Sequence, residues 1–199
     1  RTLRRKIILS FFYRVIFPAL VVYGGLFSFA HPSDAAEPLD RSWGTFILGM
    51  SVDALQKAAQ VDEKKEGYRG LMKGERFFVV RPESLPPGVL NMDGTTFGGK
   101  LYKITVLYSP EFIGKTPWEI LSARYTDRYG KVPLKQAPLG ERKVLEIFRW
   151  EDPATIFILK RERTATFPGS KSPPPVPVII ETYLDQVLWQ ERFQLEIDQ

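Results

Sequence analysis

Polar and apolar residues alternate along several short stretches of this chain, and the alternation predicts a protein built largely from β-strands. The clearest stretch is Lys100–Tyr108, which is rich in β-branched and aromatic residues. Further strands are predicted at residues 76–81, 144–150, 155–161, 178–184 and 187–193. Residues 151–154 predict a β-hairpin between two of these strands, and residues 185–186 predict a short turn before the last one.

Two helices interrupt the predicted strands. The first is expected at residues 51–60, because Ser51 is a suitable N-cap and apolar residues follow it at helical spacing. The second is expected at residues 117–129, with Thr116 as its N-cap and Glu119 closing a capping box. Gly130 would end this helix, because glycine readily adopts the left-handed conformation found after helix C-termini.

Segments rich in charge, glycine or proline separate these elements. Residues 61–70 predict a loop, residues 82–99 an irregular region with a turn at 91–94, and residues 167–177 a stiff extended loop. The order of elements predicts an α+β fold, in which antiparallel sheet carries two helices packed on one face. Since the helix-and-strands pattern occurs twice, we expect a tandem repeat with modules at 37–115 and 116–199, or one compact domain that contains both.

The first 36 residues have the pattern of a membrane-targeting segment. Four basic residues lie within the first six positions, and residues 15–30 contain no charge. Small residues occupy the −3 and −1 positions of two possible cleavage sites, one before His31 and one before Ala36. A positive end, a short apolar core and such sites are typical of a secretory signal peptide.

The alternative interpretation is a retained single-pass anchor at the N-terminus. About 20 apolar residues are needed to span a bilayer, whereas the uncharged run here has sixteen. Extending the run back to Ile7 includes Arg14, and a charge near the bilayer centre costs about 2.5–3.5 kcal/mol. Residues 7–30 would then associate with the membrane. Both interpretations predict export, to the periplasm or to the inner membrane with the domain facing the periplasm.

The composition narrows the possible chemistry. The chain has 28 Lys plus Arg against 23 Asp plus Glu, but basic and acidic residues are nearly equal in number after Ala36. Because nucleic-acid binding needs a clustered basic surface, a nucleic-acid partner is not expected. The chain has no cysteine, and its single histidine is His31. Zinc sites and most nucleophilic triads draw on these two residue types. We therefore expect no cofactor, no metal and no enzyme, with a carboxylate-based hydrolase as the residual alternative.

Two segments resemble chemical sites, and a structural explanation is favoured for each. Glu119 and Asp127 are eight residues apart on the second helix, where capping and a solvated position account for them. Residues 91–99 are rich in glycine and polar side chains, but they lack the terminal Glu of a calcium-binding loop. Lys100 is followed by Leu101 rather than by the Ser or Thr of a phosphate-binding loop.

The layout of the chain resembles a class of small bacterial modules. Residues 43–55 combine an apolar run, Gly-Met-Ser and an amphipathic helix. Residues 101–104 follow in a predicted strand, residues 129–133 form a Tyr-Gly-x-x-Pro segment after the second helix, and Trp150 lies in a further strand. This order is similar to outer-membrane assembly lipoproteins of the SmpA/OmlA type and to tandem modules of the β-lactamase-inhibitory-protein kind, although the lipoprotein cysteine is missing. The resemblance implies a non-enzymatic scaffold that binds proteins.

Aromatic and proline residues are the candidate partner-binding site. Most of the aromatic residues are expected in the core, but any that are exposed beside the Pro-rich loop would form a groove, because Trp and Tyr dominate interfaces. The edge strand next to that loop could also accept an added strand. The candidate residues are Trp118, Tyr125, Tyr129, Trp150, Trp189, Pro173, Pro174 and Pro175.

Two function classes follow from these observations. The favoured one is a non-catalytic exported envelope protein, which acts as an interaction or accessory subunit and binds another envelope protein or a membrane complex. The alternative is a periplasmic protein that binds a small ligand or lipid. Its pocket would lie between sheet and helices and would be lined by Phe77, Phe97, Trp118, Phe148 and Phe157.

Overall fold

An antiparallel sheet of eight strands forms the centre of the computed structural model, which describes residues 37–64, 71–139, 143–164 and 176–197. The strands of the chain are β1 (Ser42–Trp43), β2 (Phe46–Ile47), β3 (Val61–Lys64), β4 (Glu75–Val80), β5 (Val89–Phe97), β6 (Lys100–Tyr108), β7 (Lys135–Pro138), β8 (Lys143–Glu151), β9 (Thr155–Thr164) and β10 (Val178–Asp185). The order across the large sheet is β3-β4-β5-β6-β10-β9-β8-β7, and β1 and β2 pair separately.

Four helices are present in the described part of the chain, and they lie on both faces of the sheet. They are α1 (Val52–Ala58), α2 (Pro110–Lys115), α3 (Trp118–Tyr129) and α4 (Gln186–Ile197). The first three contribute apolar residues to the main core, which the sheet completes with side chains of its central strands. We call this side of the sheet the α3 face. The opposite side, on which α4 covers Tyr102, Ile156 and Leu184, is the α4 face.

The predicted α+β class is confirmed, and several predicted elements occur where the sequence placed them. The strand Lys100–Tyr108 has the expected bounds, because its alternation matches a sheet with two distinct faces. Helix α1 is capped as predicted, with the Ser51 hydroxyl accepting a hydrogen bond of 3.2 Å from the backbone N–H of Ala54. The hairpin between β8 and β9 is also confirmed, since Asp152 accepts backbone N–H groups of its turn.

The strand predicted at residues 187–193 is wrong, because these residues belong to α4. Val187, Trp189 and Phe193 favour strands by intrinsic propensity. Asp185 overrides that preference, since its carboxylate accepts a 3.0 Å hydrogen bond from the backbone N–H of Leu188 in the first helical turn.

The irregular region predicted at residues 82–99 is wrong over half of its length, because β5 runs through residues 89–97 and the proposed turn at 91–94 lies inside it. The hairpin turn is formed by Gly98 and Gly99, which both have positive φ. Gly94 allows close packing inside the sheet, because a Cβ at this position would lie only 2.9 Å from Leu101 Cδ1. Part of the loop predicted at 61–70 is strand as well, because residues 61–64 form β3.

The cap predicted for α3 is displaced by one residue. Pro117 is the N-cap and makes no side-chain cap hydrogen bond, whereas Thr116 ends the unpredicted helix α2. Glu119 therefore does not close a capping box. Its carboxylate lies 3.0 Å from the guanidinium of Arg161 on the sheet.

The predicted targeting segment of residues 1–36 lies outside the described residues, as do residues 167–175 of the Pro-rich loop predicted at 167–177. Residues 36–199 cluster as one unit that includes the modules predicted at 37–115 and 116–199. No helix among the described residues is both long enough and apolar enough to cross a membrane.

Replacing Gly94 tests the close packing between β5 and β6. We expect Gly94→Ala to lower the free energy of unfolding by about 1–3 kcal/mol, because Leu101 is fully buried and cannot yield to an added methyl group. The matched control is Gly114→Ala in α2, where no atom lies within 4 Å of the added Cβ. Urea denaturation measures both, and equal effects of the two changes would contradict this packing constraint.

Candidate functional site

Most of the predicted aromatic candidates form a continuous cluster in the main core. Tyr125 and Tyr129 of α3 pack against Trp150 of β8, with ring centroids 6.1 and 6.3 Å from the tryptophan. Phe157 of β9 lies at the centre, 4.6 Å from Tyr125 and 5.4 Å from Trp150. Trp118, Tyr129 and Trp150 are all buried. These side chains therefore hold α3 on the sheet and present little surface to a partner.

The remaining predicted candidates do not join this cluster. Trp189 is half-buried on α4, where it stacks on Phe193 with centroids 5.6 Å apart on the other side of the sheet. Pro173, Pro174 and Pro175 lie outside the described residues.

The predicted ligand pocket is not assembled among the described residues. Trp118 and Phe157 belong to the main core, with Phe148 packed against it on the α3 face. Phe97 packs instead with the smaller cluster on the α4 face. Phe77 is paired with Thr95 and is buried in β4. The five rings thus do not share one cavity.

A fully buried carboxyl group lies inside the aromatic core. Glu181 of β10 accepts hydrogen bonds of 2.5 Å from the Tyr125 hydroxyl and 3.0 Å from the Tyr183 hydroxyl. Burial raises the pKa of Glu181 above its usual range, and hydrogen bonds from the surrounding tyrosines and from Trp43 oppose that shift. Its side chain has no exposed surface, so the group is positioned to organise the core and not to meet a substrate.

A second buried carboxylate fixes the beginning of α3 to the sheet. Glu146 of β8 accepts hydrogen bonds from Arg161 and Arg163 of β9, at 2.5 and 3.2 Å. The Arg161 guanidinium also lies 4.8 Å from the centroid of the Trp118 ring and pairs with Glu119. Its charge is thereby shared among a buried carboxylate, an exposed carboxylate and an aromatic face.

A third buried carboxylate connects α4 to the opposite face of the sheet. Glu75 of β4 accepts a 2.6 Å hydrogen bond from the Tyr102 hydroxyl and a 3.1 Å hydrogen bond from Arg192 of α4. It also accepts from the backbone N–H of Met72. Glu75 therefore ties α4 to β4 across β5 and β6, and its hydrogen bonds satisfy a carboxylate that burial would otherwise destabilise.

The sheet edges differ from those the sequence predicted. The strands that flank residues 167–177 are β9 and β10, and both are interior strands, so neither can accept an added strand. The edges are β3 and β7.

The edge at β7 is blunted by a proline. Leu139 N–H bonds to the Lys143 carbonyl at 2.8 Å, and β7 pairs with β8 in register from Lys135 to Pro138. The alternation of an antiparallel ladder then points the backbone groups of Gln136 and Pro138 outward. Since Pro138 has no N–H, it removes one donor from this edge, a common device against strand addition.

The α4 face carries a second line of side chains, none of which belongs to the apolar cluster on which α4 packs. The pairing registers place five residues in one line across five strands, namely Ile147, Lys160, Ile180, Leu107 and Asn91. All five are half-buried. Their sequence neighbours Leu159, Ile179 and Val106 point to the main core and are fully buried. We call this line of residues the open row.

The open row departs from the usual pattern of a sheet that has one solvated face. Such a face normally carries polar side chains, whereas three members of the row are Ile or Leu. Leu145 and Val178 flank the row on the same face, on either side of Glu162, and Val178 is 38 % exposed. These residues form a strip of partly exposed apolar surface, and contiguous apolar surface is a feature of interaction sites.

Two surface clefts are present elsewhere on the described domain. One of about 620 Å³ lies between β1–β2, the end of α1 and the segment after β4, where Trp43, Lys57 and Arg81 contribute to its lining. The other, of about 450 Å³, is lined by Leu39, Tyr129, Trp150 and Asp152, among others. Arg81 is paired with Asp62, and Asp152 is occupied by backbone N–H groups, so both side chains already serve the fold.

The two carboxylates that lie eight residues apart on α3 have different surroundings. Glu119 is held by Arg161, and Asp127 is exposed on the same helix. Among the residues that the structure describes, no group of three or more His, Cys, Asp or Glu side chains could hold a metal ion.

Sequence reasoning missed the open row and the three buried glutamates. A signal for the row is present at residues 155–161, where Ile158 and Lys160 alternate with Phe157 and Leu159. That alternation identifies two faces but not which strands lie side by side. Comparisons of the chain with protein-family models, with curated proteins and with solved structures give no match.

Replacing Arg161 tests the anchoring of α3. We expect Arg161→Met to lower the free energy of unfolding by about 2–4 kcal/mol, because Glu146 loses its closest cation in a buried position and Trp118 loses the cation over its ring. Lys115→Met is the matched control, since its pair with Glu111 is exposed to solvent and should contribute little to stability. Equal losses in urea denaturation would show that burial of the pair does not matter.

Replacing Glu181 tests whether burial raises the pKa of its carboxyl group. Because the folded state raises the pKa of this carboxyl group, the folded protein binds the proton more tightly than the unfolded chain does. Its contribution to stability is therefore greatest below the ordinary pKa of 4.5 and is lost as the pH rises through the raised value.

We expect Glu181→Gln to gain stability relative to the wild type as the pH increases. The measurement is urea denaturation of both proteins over a pH series that begins below 4.5. Glu63 and Glu119 are exposed carboxylates with lowered pKa values, so their contributions to stability increase as the pH rises. Both are present in the wild type and in the variant, so they do not change the difference in stability between the two proteins. A stability difference that does not change with pH would refute the raised pKa.

Proposed function

We propose that this protein is a non-catalytic, exported envelope protein that uses the α4 face of its sheet to bind another protein of a periplasmic or membrane complex. The observation that carries the proposal is the open row, in which three aliphatic side chains, Lys160 and Asn91 lie in one line across five adjacent strands on the α4 face. Four inter-strand spacings of about 4.8 Å give the row a length of about 19 Å, which is large enough for a segment of a partner to lie along it.

The exported location is supported by the first 36 residues. Their basic start, uncharged core and small residues at two possible cleavage sites are features that secretion signals share. Whether the segment is cleaved or retained, the domain faces the periplasm in both forms of the proposal. A retained segment would make the protein a subunit tethered to the inner membrane.

A non-catalytic role is supported by the occupation of the buried carboxylates. Glu181 binds tyrosine hydroxyls, Glu146 binds two arginines, and Glu75 binds a tyrosine and an arginine. Each of these groups has a structural task that explains its burial. The open row, in contrast, has no such task within the described domain.

We also propose that the domain is a tandem repeat. The strand order is symmetrical, since β3 to β6 enter the sheet from one edge, β7 to β10 enter from the other, and β6 pairs with β10 at the centre. Each set of four strands follows a helix, α1 in one case and α3 in the other. This layout supports the expected resemblance to tandem envelope modules.

Site-specific photo-crosslinking tests the proposed function. A photoreactive phenylalanine analogue at Ile147 or Ile180 of the full chain, produced in the native host, should crosslink to one envelope protein in the membrane or periplasmic fraction. The matched control is the same analogue at Ile120, an exposed residue of α3 that lies away from the open row. The same fractionation gives the mass of the chain and shows whether residues 1–36 are retained.

The outcome separates the function classes. A product at Ile147 or Ile180 that is absent at Ile120 supports a protein partner on the α4 face. Identical products at all three positions, or none, would refute that proposal. Crosslinks to lipid only would favour the alternative of a ligand carrier.

A further inference from the structure

Lys160 is the second of the five residues of the open row, with an aliphatic neighbour on each side. Its position in β9 is opposite Ile147 of β8 and opposite Ile180 of β10. Leu107 follows Ile180 in the same line. The lysine is half-buried in this setting, so its aliphatic stem adds to the apolar surface while its ammonium group is partly removed from water.

The ammonium group of Lys160 has no carboxylate paired with it among the described residues. Burial lowers the pKa of Lys160, and the nearby cation of Lys103 lowers it further. Glu162, two residues along the same strand, acts in the opposite direction but makes no ion pair with it. Lys160 thus differs from Arg161 and Arg163, which are both paired with Glu146.

An unpaired cation within an aliphatic surface restricts what can cover that surface. A purely apolar partner would remove the remaining water from Lys160 and leave a buried charge without compensation, which is unfavourable by several kcal/mol. A partner carboxylate placed opposite Lys160 would satisfy the charge and fix the register of the contact. The same lysine would reject partners that carry a cation at this point.

We propose that the open row binds a segment of a partner protein in which an aspartate or glutamate is flanked by aliphatic residues, with the carboxylate pairing with Lys160. This inference rests on the proposed function, because it specifies the chemistry of the partner at that site. A protein segment suits the geometry, since the row is a line across five strands and neither of the two described clefts includes any of its residues.

The test selects partners by chemistry without knowing the natural one. A display library of random 12-residue peptides is selected on the purified full chain, and enriched peptides are synthesised for calorimetric titration. We expect the enriched set to share an acidic residue between aliphatic residues. Changing that residue to its amide should weaken binding at least tenfold, and Lys160→Met should weaken it by a similar factor.

The lysine variants form a matched set. Lys160→Arg should retain most of the binding, and Lys160→Glu should instead select peptides with a basic residue at the same position. Lys57→Met on α1 is the control, because Lys57 is exposed and lies outside the open row. When the peptide's acidic residue and Lys160 are both replaced, the loss of binding free energy should be smaller than the sum of the two single losses, because both replacements remove the same interaction. Thermal denaturation of each variant confirms that it remains folded.

Each other outcome overturns the proposal. Enriched peptides without an acid, binding that Lys160→Met leaves unchanged, or no enrichment at all would refute an acidic partner segment. Binding of oleate or phosphatidylglycerol vesicles that depends on Lys160 would assign the row to a lipid. Self-association that Lys160→Met abolishes would assign it to a second copy of the chain. Crosslinking at Ile147 is independent of these results, so a crosslinked protein without acidic peptides refutes only the partner chemistry.

Discussion

The pairing of β6 with β10 is the interaction on which the rest of the domain depends. These two strands lie at the centre of the sheet, and they join the strands that follow α1 to the strands that follow α3. Their register decides which side chains meet on each face. On one side it brings Val106 and Glu181 into the core. On the other it aligns Leu107 with Ile180, which continues the open row across the centre of the sheet. Core and surface are therefore set by a single alignment, and a shift of one residue would exchange them.

The three buried glutamates show how the domain places charge where a core would normally be apolar. Glu146 and Glu75 have arginine partners. Arg161, beside Glu146, also pairs with Glu119 of α3, whereas the partner of Glu75 is Arg192 of α4 itself. Glu181 accepts hydrogen bonds from tyrosine hydroxyls and has no cation among these donors. Burial therefore disfavours its ionised form, and only hydrogen bonds from neutral donors stabilise that form. The pKa of Glu181 is raised as a result, and its contribution to stability is expected to fall as the pH rises.

Sequence patterns predicted those parts of the fold in which local preference and tertiary packing agree. Lys100–Tyr108 alternates and pairs on both sides, so its strand could be predicted with its bounds. Residues 91–94 favour a turn locally, but pairing of β5 with both β4 and β6 extends the strand through them. Trp118, Tyr125 and Tyr129 could be assigned to one helix face from their spacing. Their polar partners Arg161 and Glu181 could not be assigned, because these contacts depend on strand order and on register.

The contrast between Arg161 and Lys160 connects fold and proposed function. Adjacent positions in a strand point to opposite faces, so β9 directs Arg161 to the core side, where Glu146 and Trp118 are placed to receive its charge. Lys160 points to the α4 face among isoleucines that give it no counter-ion. A charge that the fold itself required would be expected to have its partner within the fold, as Arg161 does. In the proposed complex, a carboxylate of the partner takes the place that Glu146 has beside Arg161, and the aliphatic residues beside Lys160 pack against the partner segment.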